Sequence, residues 1–326
     1  MTSSPARFRS ILVPLDGSPL AEQAIPIAMA IAERARSKIK LVLVHQPLFL
    51  MEPGPAYTQI ELAMQKADRE YLRSVAARLR ERLGRALSSA VLQGPVAQTL
   101  ARYVGELGTD LVVMTTHGRG GIRRAWLGSV VDQLIRTSEV PILVVRASET
   151  NPAESSVGLS EILVPLDGSP LAEAVLEPAA ALARLWDAEI SLVQVVRPVV
   201  LTSDPPLPFP TGYSDQATAM RRESAQDSIG DVAERLRESG VKASGVAVLG
   251  GGIADTLLDL ARPERVSLVA LATHGRGGLR RLALGSVADK LVRAAEVPVL
   301  VVRPAGRRSR RSSEQSNVSL STRTSS

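Results

Sequence analysis

Two short segments of this chain carry residue types able to hold a phosphorylated ligand, and each occurs twice. The first is Pro14-Leu15-Asp16-Gly17-Ser18, within a stretch (Ile11–Glu22) that returns letter for letter at Ile162–Glu173. It sets a carboxylate, a glycine and a hydroxyl directly after an apolar run. Asp16 and its copy Asp167 can accept hydrogen bonds from an amine or a sugar hydroxyl, with Pro165, Gly168 and Ser169 repeating the rest of the turn. The same residues would equally serve to cap a helix, since Ser18 and Ser169 each precede a proline suited to a first helical position. The second segment, Thr116–Val130, returns as Thr273–Val287 with twelve of fifteen positions identical. Its glycines Gly118 and Gly121, copied as Gly275 and Gly278, let a backbone approach an oxygen-rich ligand. Arg119 and Arg276 can reach a phosphate. Gly128-Ser129-Val130 and Gly285-Ser286-Val287 then open a helix. N–H groups at such a start, with the helix dipole, favour an anion, and this spacing predicts that the amides of Gly128, Ser129 and Val130 are free to bind one. It also predicts that Gly128→Glu or Gly285→Glu blocks the site by charge repulsion while the domain stays folded. The alternative is a flexible glycine loop before an ordinary helix.

Other chemistries fail on spacing. No G-x-x-x-x-G-K-[ST] occurs, and Gly118-Arg119-Gly120-Gly121 is not G-x-G-x-x-G. His45, His117 and His274 show no metal-ligand spacing, so no metal site is predicted. His117 and His274 read as anchors of their loops. No nucleophile elbow is present. The absence of cysteine removes disulfides, thiolate chemistry and cysteine-ligated metals together. Arg123-Arg124 and Arg280-Arg281 are either phosphate-facing pairs or solvated charge.

A third repeat, Glu139–Arg146 and Glu296–Arg303, keeps the same order in both halves, so the 326-residue chain is a tandem duplication. The copies are offset by 151 residues at Asp16/Asp167 and by 157 at Gly118/Gly275, which puts six extra residues in copy two between the equivalents of Val44 and Gly94. The boundaries predicted are a first domain over 1–148, a polar linker over 149–160, a second domain over 161–304 and a disordered Ser/Arg-rich tail over 305–326. Apolar runs near 10–15, 39–45, 87–93, 111–114 and 142–146 alternate with helical patterns, as do runs near 161–166, 189–196, 243–249, 267–271 and 299–303. Near-continuous apolar runs suit strands buried on both faces, so each copy reads as an open, doubly wound α/β domain with a five-stranded parallel sheet. Long second helices are expected over Gln59–Leu83 and Asp215–Ser239, each after a Pro-rich connection. Pro26 and Pro178 fall inside the first helices and predict a kink there.

Of the net charge of +6, the tail after Arg303 carries +4, from five Arg and one Glu. The remaining body has no basic excess of the kind a nucleic-acid-binding face needs, and aromatics at 3 % give no stacking platform. No specific nucleic-acid partner is expected. The first apolar run is short and broken by Pro14 and Asp16, and no run of about 18 apolar residues exists. The protein is therefore expected to be soluble and cytoplasmic, without a membrane partner.

On these motifs, and over nearly everything from Phe8 to Arg303, the chain resembles a tandem universal stress protein. The nucleotide-binding branch of that family carries G-x2-G-x9-G-[ST] after the fourth strand. Gly118, Arg119–Leu127 and Gly128-Ser129 match its second part, as do Gly275, Arg276–Leu284 and Gly285-Ser286. Thr115 and Ala272, both small, stand at its first glycine. By the same resemblance Asp16 and Asp167 are similar to residues contacting adenine or ribose. Val44/His45 and Val195/Val196 are similar to the apolar adenine contact, and Gly94-Pro95 and Gly251-Gly252 to the turn beside the nucleotide. The resemblance implies two Rossmann-like domains of the adenine nucleotide alpha hydrolase-like type with strand order 3-2-1-4-5. It implies ATP as the ligand, which Mg²⁺ could accompany, and dimerisation through the last strand. Two copies in one chain can cover each other's edge, which predicts an intramolecular pseudo-dimer that is a monomer or weak homodimer as a whole. Three functions remain open: a nucleotide-dependent stress-response or regulatory binding protein, a slow ATP hydrolase, and a nucleotide-free interaction scaffold.

Overall fold

The computed structural model describes residues 8–47, 55–116, 127–147, 158–201, 212–273 and 284–304. In the first copy, strands β1 (Ser10–Leu15), β2 (Lys38–His45), β3 (Leu87–Gln93), β4 (Leu111–Thr115) and β5 (Ile142–Val145) alternate with helices. These are α1 (Pro19–Glu22), α2 (Ile25–Ala35), α3 (Pro55–Leu83), α4 (Val96–Glu106) and α5 (Ser129–Thr137). The second copy runs β6 (Glu161–Pro165), α6 (Leu176–Trp186), β7 (Glu189–Val196), β8 (Val199–Leu201), β9 (Gly212–Ser214), α7 (Asp215–Glu238), β10 (Ala243–Leu249), α8 (Ile253–Leu260), β11 (Leu268–Ala272), α9 (Ser286–Ala294) and β12 (Val299–Val302).

The ten long strands form one sheet in the order β10-β7-β6-β11-β12-β5-β4-β1-β2-β3. Within each copy every pairing in this sheet is parallel. All five residues of β4 and all four of β12 are buried, as expected of strands covered by helices on both faces. One face packs against α2, α3, α6 and α7, the other against α4, α5, α8 and α9. In this sheet β5 and β12 alone pair antiparallel, with Val144 opposite Val299, Leu143 opposite Leu300 and Ile142 opposite Val301. Leu143 and Leu300 hold the same place in the two copies, so equivalent residues meet at this seam.

The proline expectation resolves into a break. α1 ends at Glu22, and α2 restarts at Ile25 with Pro26 in its first turn, where a missing N–H costs nothing. In copy two a 3₁₀ turn (Ala172–Val175) leads into α6, with Pro178 again in the opening turn. α3 begins at Pro55, four residues before the expected start. The connection that is longer in copy two carries the antiparallel hairpin β8–β9, which pairs Val200 with Tyr213.

Candidate functional site

Because β1, β2, β3 and β4 are parallel, their carboxyl ends open on one side of the sheet. The winding reverses between β1 and β4, and in an open α/β sheet that reversal leaves a crevice suited to a ligand. Pro14 is on β1, with Asp16, Gly17 and Ser18 just beyond its end; Val44 is next to last on β2, Gly94 follows β3 and Thr115 closes β4. Copy two repeats this with Pro165, Asp167, Gly168, Ser169, Val195 and Ala272 around β6, β7 and β11. The structure thus brings these residues to the carboxyl end of each half. Gly118, Arg119 and Gly121, and Gly275, Arg276 and Gly278, lie outside the described residues, as do His117 and His274.

At the first turn both uses read from the sequence occur together. Asp16 Oδ1 accepts from the Ser18 N–H at 2.9 Å and the Ser18 hydroxyl at 2.7 Å, and Ser18 Oγ accepts from the Ala21 N–H at 3.2 Å to cap α1. Asp167, Ser169 and Ala172 repeat this at 3.0, 2.7 and 3.3 Å. Gly17 and Gly168 take φ of 86° and 76°, a left-handed conformation that glycine adopts without strain. The turn therefore holds a half-buried carboxylate rigidly at the strand end.

The phosphate-side expectation needs one correction. The Gly128 N–H is not free: it donates to the Thr116 carbonyl at 3.0 Å, and Gly285 donates to Thr273 at 3.1 Å. These bonds tie the start of each helix back to the end of β4 or β11. The amides of Ser129, Val130 and Val131 remain the helix-start donors that the α-helical ladder does not use, and Ser129 and Ser286 are exposed. Gly128→Glu is also no clean probe of the anion site. A β-carbon there would lie 2.8 Å from the Thr116 carbonyl oxygen, and at Gly285 3.1 Å from that of Thr273.

The third turn also differs from its sequence alignment. Gly94, at φ 130°, donates its N–H to the His45 carbonyl at 3.1 Å, and a β-carbon on it would meet Thr99 Oγ1 at 2.8 Å. In copy two Gly250, not Gly251, bonds the Val196 carbonyl at 3.1 Å and lies against Thr256. Gly251 is exposed with open space around it. Copy two has one more residue in this turn, which the Gly-Gly-Gly run hides in the sequence.

Sequence reasoning missed a buried polar cluster beside the first site. The His45 side chain is 1 % exposed, with Nδ1 2.7 Å from Asp68 Oδ2 and Nε2 2.7 Å from Glu61 Oε1. Burial opposes its charge, but the bonds to the two carboxylates outweigh burial and raise its pKa above 6.5. Its signal was a histidine directly after the apolar run Leu41–Val44, with acidic residues seven apart on the next helix. Among the described residues no group of three or more His, Cys, Asp or Glu is placed to hold a metal, and no helix is long and apolar enough to cross a membrane.

A model of the universal stress protein family matches residues 7–146 and again 159–303. A universal stress protein of Mycobacterium bovis is 28 % identical over 313 residues, covering 90 % of this chain and 94 % of its own. Another from Methanocaldococcus jannaschii is 30 % identical over 144 residues, 44 % of this chain and 81 % of its own. Among solved structures, a universal stress protein from Archaeoglobus fulgidus superposes with a TM-score of 0.63 at 17 % identity, covering 91 % of this chain and 96 % of its own. With the family model matched twice across an α/β fold of this kind, the chain belongs to the universal stress protein family as a tandem, two-domain member.

Proposed function

We propose that this protein binds an adenine nucleotide, ATP in the first instance, at the carboxyl end of each half-sheet, and acts by binding it rather than by turning it over. The observation that carries this reading is the duplicated steric cradle. At Gly128 and Gly285 the helix start lies close against the carbonyl at the preceding strand end, so close at Gly128 that a β-carbon has no room, and this sets helix-start amides that the helix itself does not use beside the end of the strand. In this reading Asp16 and Asp167 hold the ribose or adenine, Val44 and Val195 flank the base, and Ser129, Val130, Ser286 and Val287 hold phosphates. Gly118, Arg119, Gly121, Gly275, Arg276 and Gly278 complete the phosphate side. Any Mg²⁺ would be held mainly by the phosphates, since the described residues offer it no cluster of ligands.

The same proposal treats the β5–β12 seam as an intramolecular pseudo-dimer interface, of a protein that works in the cytoplasm as a monomer or weak homodimer. Titration calorimetry with ATP tests the main reading. A stoichiometry near two supports it, a value near one means that one copy is degenerate, and no heat at millimolar ATP overturns it. Mass spectrometry of gently purified protein tests it independently, because a nucleotide-free scaffold would carry no ATP.

A further inference from the structure

We propose that His45, Glu61 and Asp68 form a proton-operated latch that fastens the amino-terminal half of α3 to the end of β2, and that only the first copy has one. Geometry demands a stored proton. Both ring nitrogens of a buried imidazole lie 2.7 Å from carboxylate oxygens. A neutral ring has one N–H, so both contacts are satisfied only when the ring is an imidazolium or one carboxyl is protonated. Removing that proton points a buried lone pair at a carboxylate, which is repulsive in a poorly solvated place.

Little apolar burial replaces the latch along that stretch of helix, where Tyr57 and Met64 are only half-buried. Between Tyr57 and Glu70 no residue of α3 is buried, and the fully buried side chains begin at Leu72, Val75 and Ala76. Glu61, with Gln65 Nε2 at 3.1 Å from it, and Asp68 are the half-buried charges there. The second copy shows the alternative. At the offset of 157 residues given by Arg78–Glu22 and Arg235–Glu173, Glu61 and Asp68 correspond to Thr218 and Ala225. Val196 takes the place of His45, and Val196, Ala225 and Ala247 form a small apolar cluster of their own. Thr218 is buried and bonded to Ser214 and Val199. α7 is thus held by apolar contact where α3 is held by charge.

The groups facing His45 are few. β3 sets the neutral Gln93 opposite it. At the end of β1, Asp16 is bonded to Ser18. On the same face Glu22 of α1 and Glu33 of α2 pair with Arg78 and Arg82 farther along α3, while α4 lies on the other face of the sheet. Among the described residues Glu61 and Asp68 are the charges that act on the ring. Since the folded-state pKa is raised, the latch is fully formed below about pH 6.5 and is lost as pH rises through the higher folded value. Because the latch holds α3 against β2 one residue beyond Val44, opening would also loosen the wall of the first nucleotide site; that consequence rests on the nucleotide reading, and the latch does not.

The test needs no ligand. The three histidines make a proton NMR titration of the full chain assignable with His45→Val. The His45 ring should titrate above 6.5, and a midpoint at or below that value overturns the proposal. Amide exchange, corrected for intrinsic rates, should speed up in the 57–70 stretch between about pH 6 and about pH 9, about tenfold per unit by which the folded pKa exceeds the ordinary one. The matching stretch of α7 should not respond. Equal responses of the two helices refute the latch. A triple variant with copy two's residues, His45→Val with Glu61→Thr and Asp68→Ala, should lose the pH response while α3 stays helical, and a retained response refutes it as well. Should that variant not fold, Asp68→Asn in the otherwise intact chain should lower the His45 midpoint, and an unchanged midpoint overturns the proposal.

Discussion

At Gly128 a β-carbon would lie 2.8 Å from the Thr116 carbonyl oxygen, a backbone atom that cannot swing aside, whereas at Gly285 the corresponding approach is 3.1 Å. Gly128→Ala should therefore destabilise the protein by roughly 1–3 kcal/mol as the helix start is pushed off the strand, and Gly285→Ala by visibly less. Urea denaturation of the two variants measures the difference; equal midpoints would mean that the close approach is not sterically limiting. Charge at the proposed phosphate position is better tested one residue on. Ser129 and Ser286 are exposed and each begins its helix, so a glutamate there complements the dipole and should alter stability by less than about 1 kcal/mol. Ser129→Glu with Ser286→Glu should nonetheless abolish ATP binding by calorimetry, and unchanged affinity would remove these helix starts from the site. The close approaches at Gly94, Gly128 and Gly285 and the Asp-Gly-Ser turns were legible in the sequence because each needs one residue type at one place. Gly250 was not, since three consecutive glycines give no register, and only the bond to the Val196 carbonyl shows which one does the work.

At the level of elements, the apolar runs announced the strands closely, because a strand covered on both faces admits little else. The helices were less legible. Pro26 and Pro178 signalled a disturbance, but whether a proline bends a helix or restarts it depends on how the preceding turn packs on the sheet. The unequal anchoring of α3 and α7 was invisible, since it depends on a histidine from one strand meeting carboxylates on the helix after it. The outer edge of the sheet carries another device of this kind. β10 is an edge strand, and unpaired edges invite association. Gln226 of α7 closes part of it: its side-chain amide donates to the Gly245 carbonyl at 3.0 Å and accepts from the Ala247 N–H at 2.9 Å, as a neighbouring strand would. Arg222 Nε adds a bond to the Ala247 carbonyl at 3.3 Å. Gly245 permits this approach, since a β-carbon there would meet the Ile229 carbonyl at 2.8 Å. Gln226→Ala should cost about 1 kcal/mol and raise self-association, seen as concentration-dependent light scattering on mild heating. A variant that scatters like the parent would show that the edge needs no such cover.

The whole molecule turns on the seam between β5 and β12, where three residue pairs meet antiparallel and equivalent leucines face each other. Both flanking layers continue across it. On one face Arg34 of α2 lies 4.5 Å from the ring centre of Trp186 on α6. On the other, Arg136 of α5 donates from two nitrogens to the two Asp132 oxygens, and Arg293 of α9 shares its Nε–H between both oxygens of Asp289. The Asp132 bond raises the Arg136 pKa, and Asp289 of the opposite half raises it further; Arg293 feels Asp289 and then Asp132 in the same way. Arg146 reaches over to the Ala294 carbonyl at 3.2 Å at the end of α9. Charges of this exposed kind contribute little singly, so the apolar strand pair should dominate the seam. Val144 and Val301 are 1 % and 2 % exposed. Replacing both with Lys buries two unpaired ammonium groups of like sign, at a cost of several kcal/mol. Each half would keep a parallel sheet and its covering helices, so the expected product is two linked domains that part or aggregate. Small-angle scattering should show a larger radius of gyration than the parent, or intermolecular association. Replacing Arg136 and Arg293 with Gln, which keeps the apolar seam, should leave the scattering profile nearly unchanged. A Lys double variant that scatters as the parent does, or a Gln pair that separates the halves, would show that the strand pair is not what holds the molecule together.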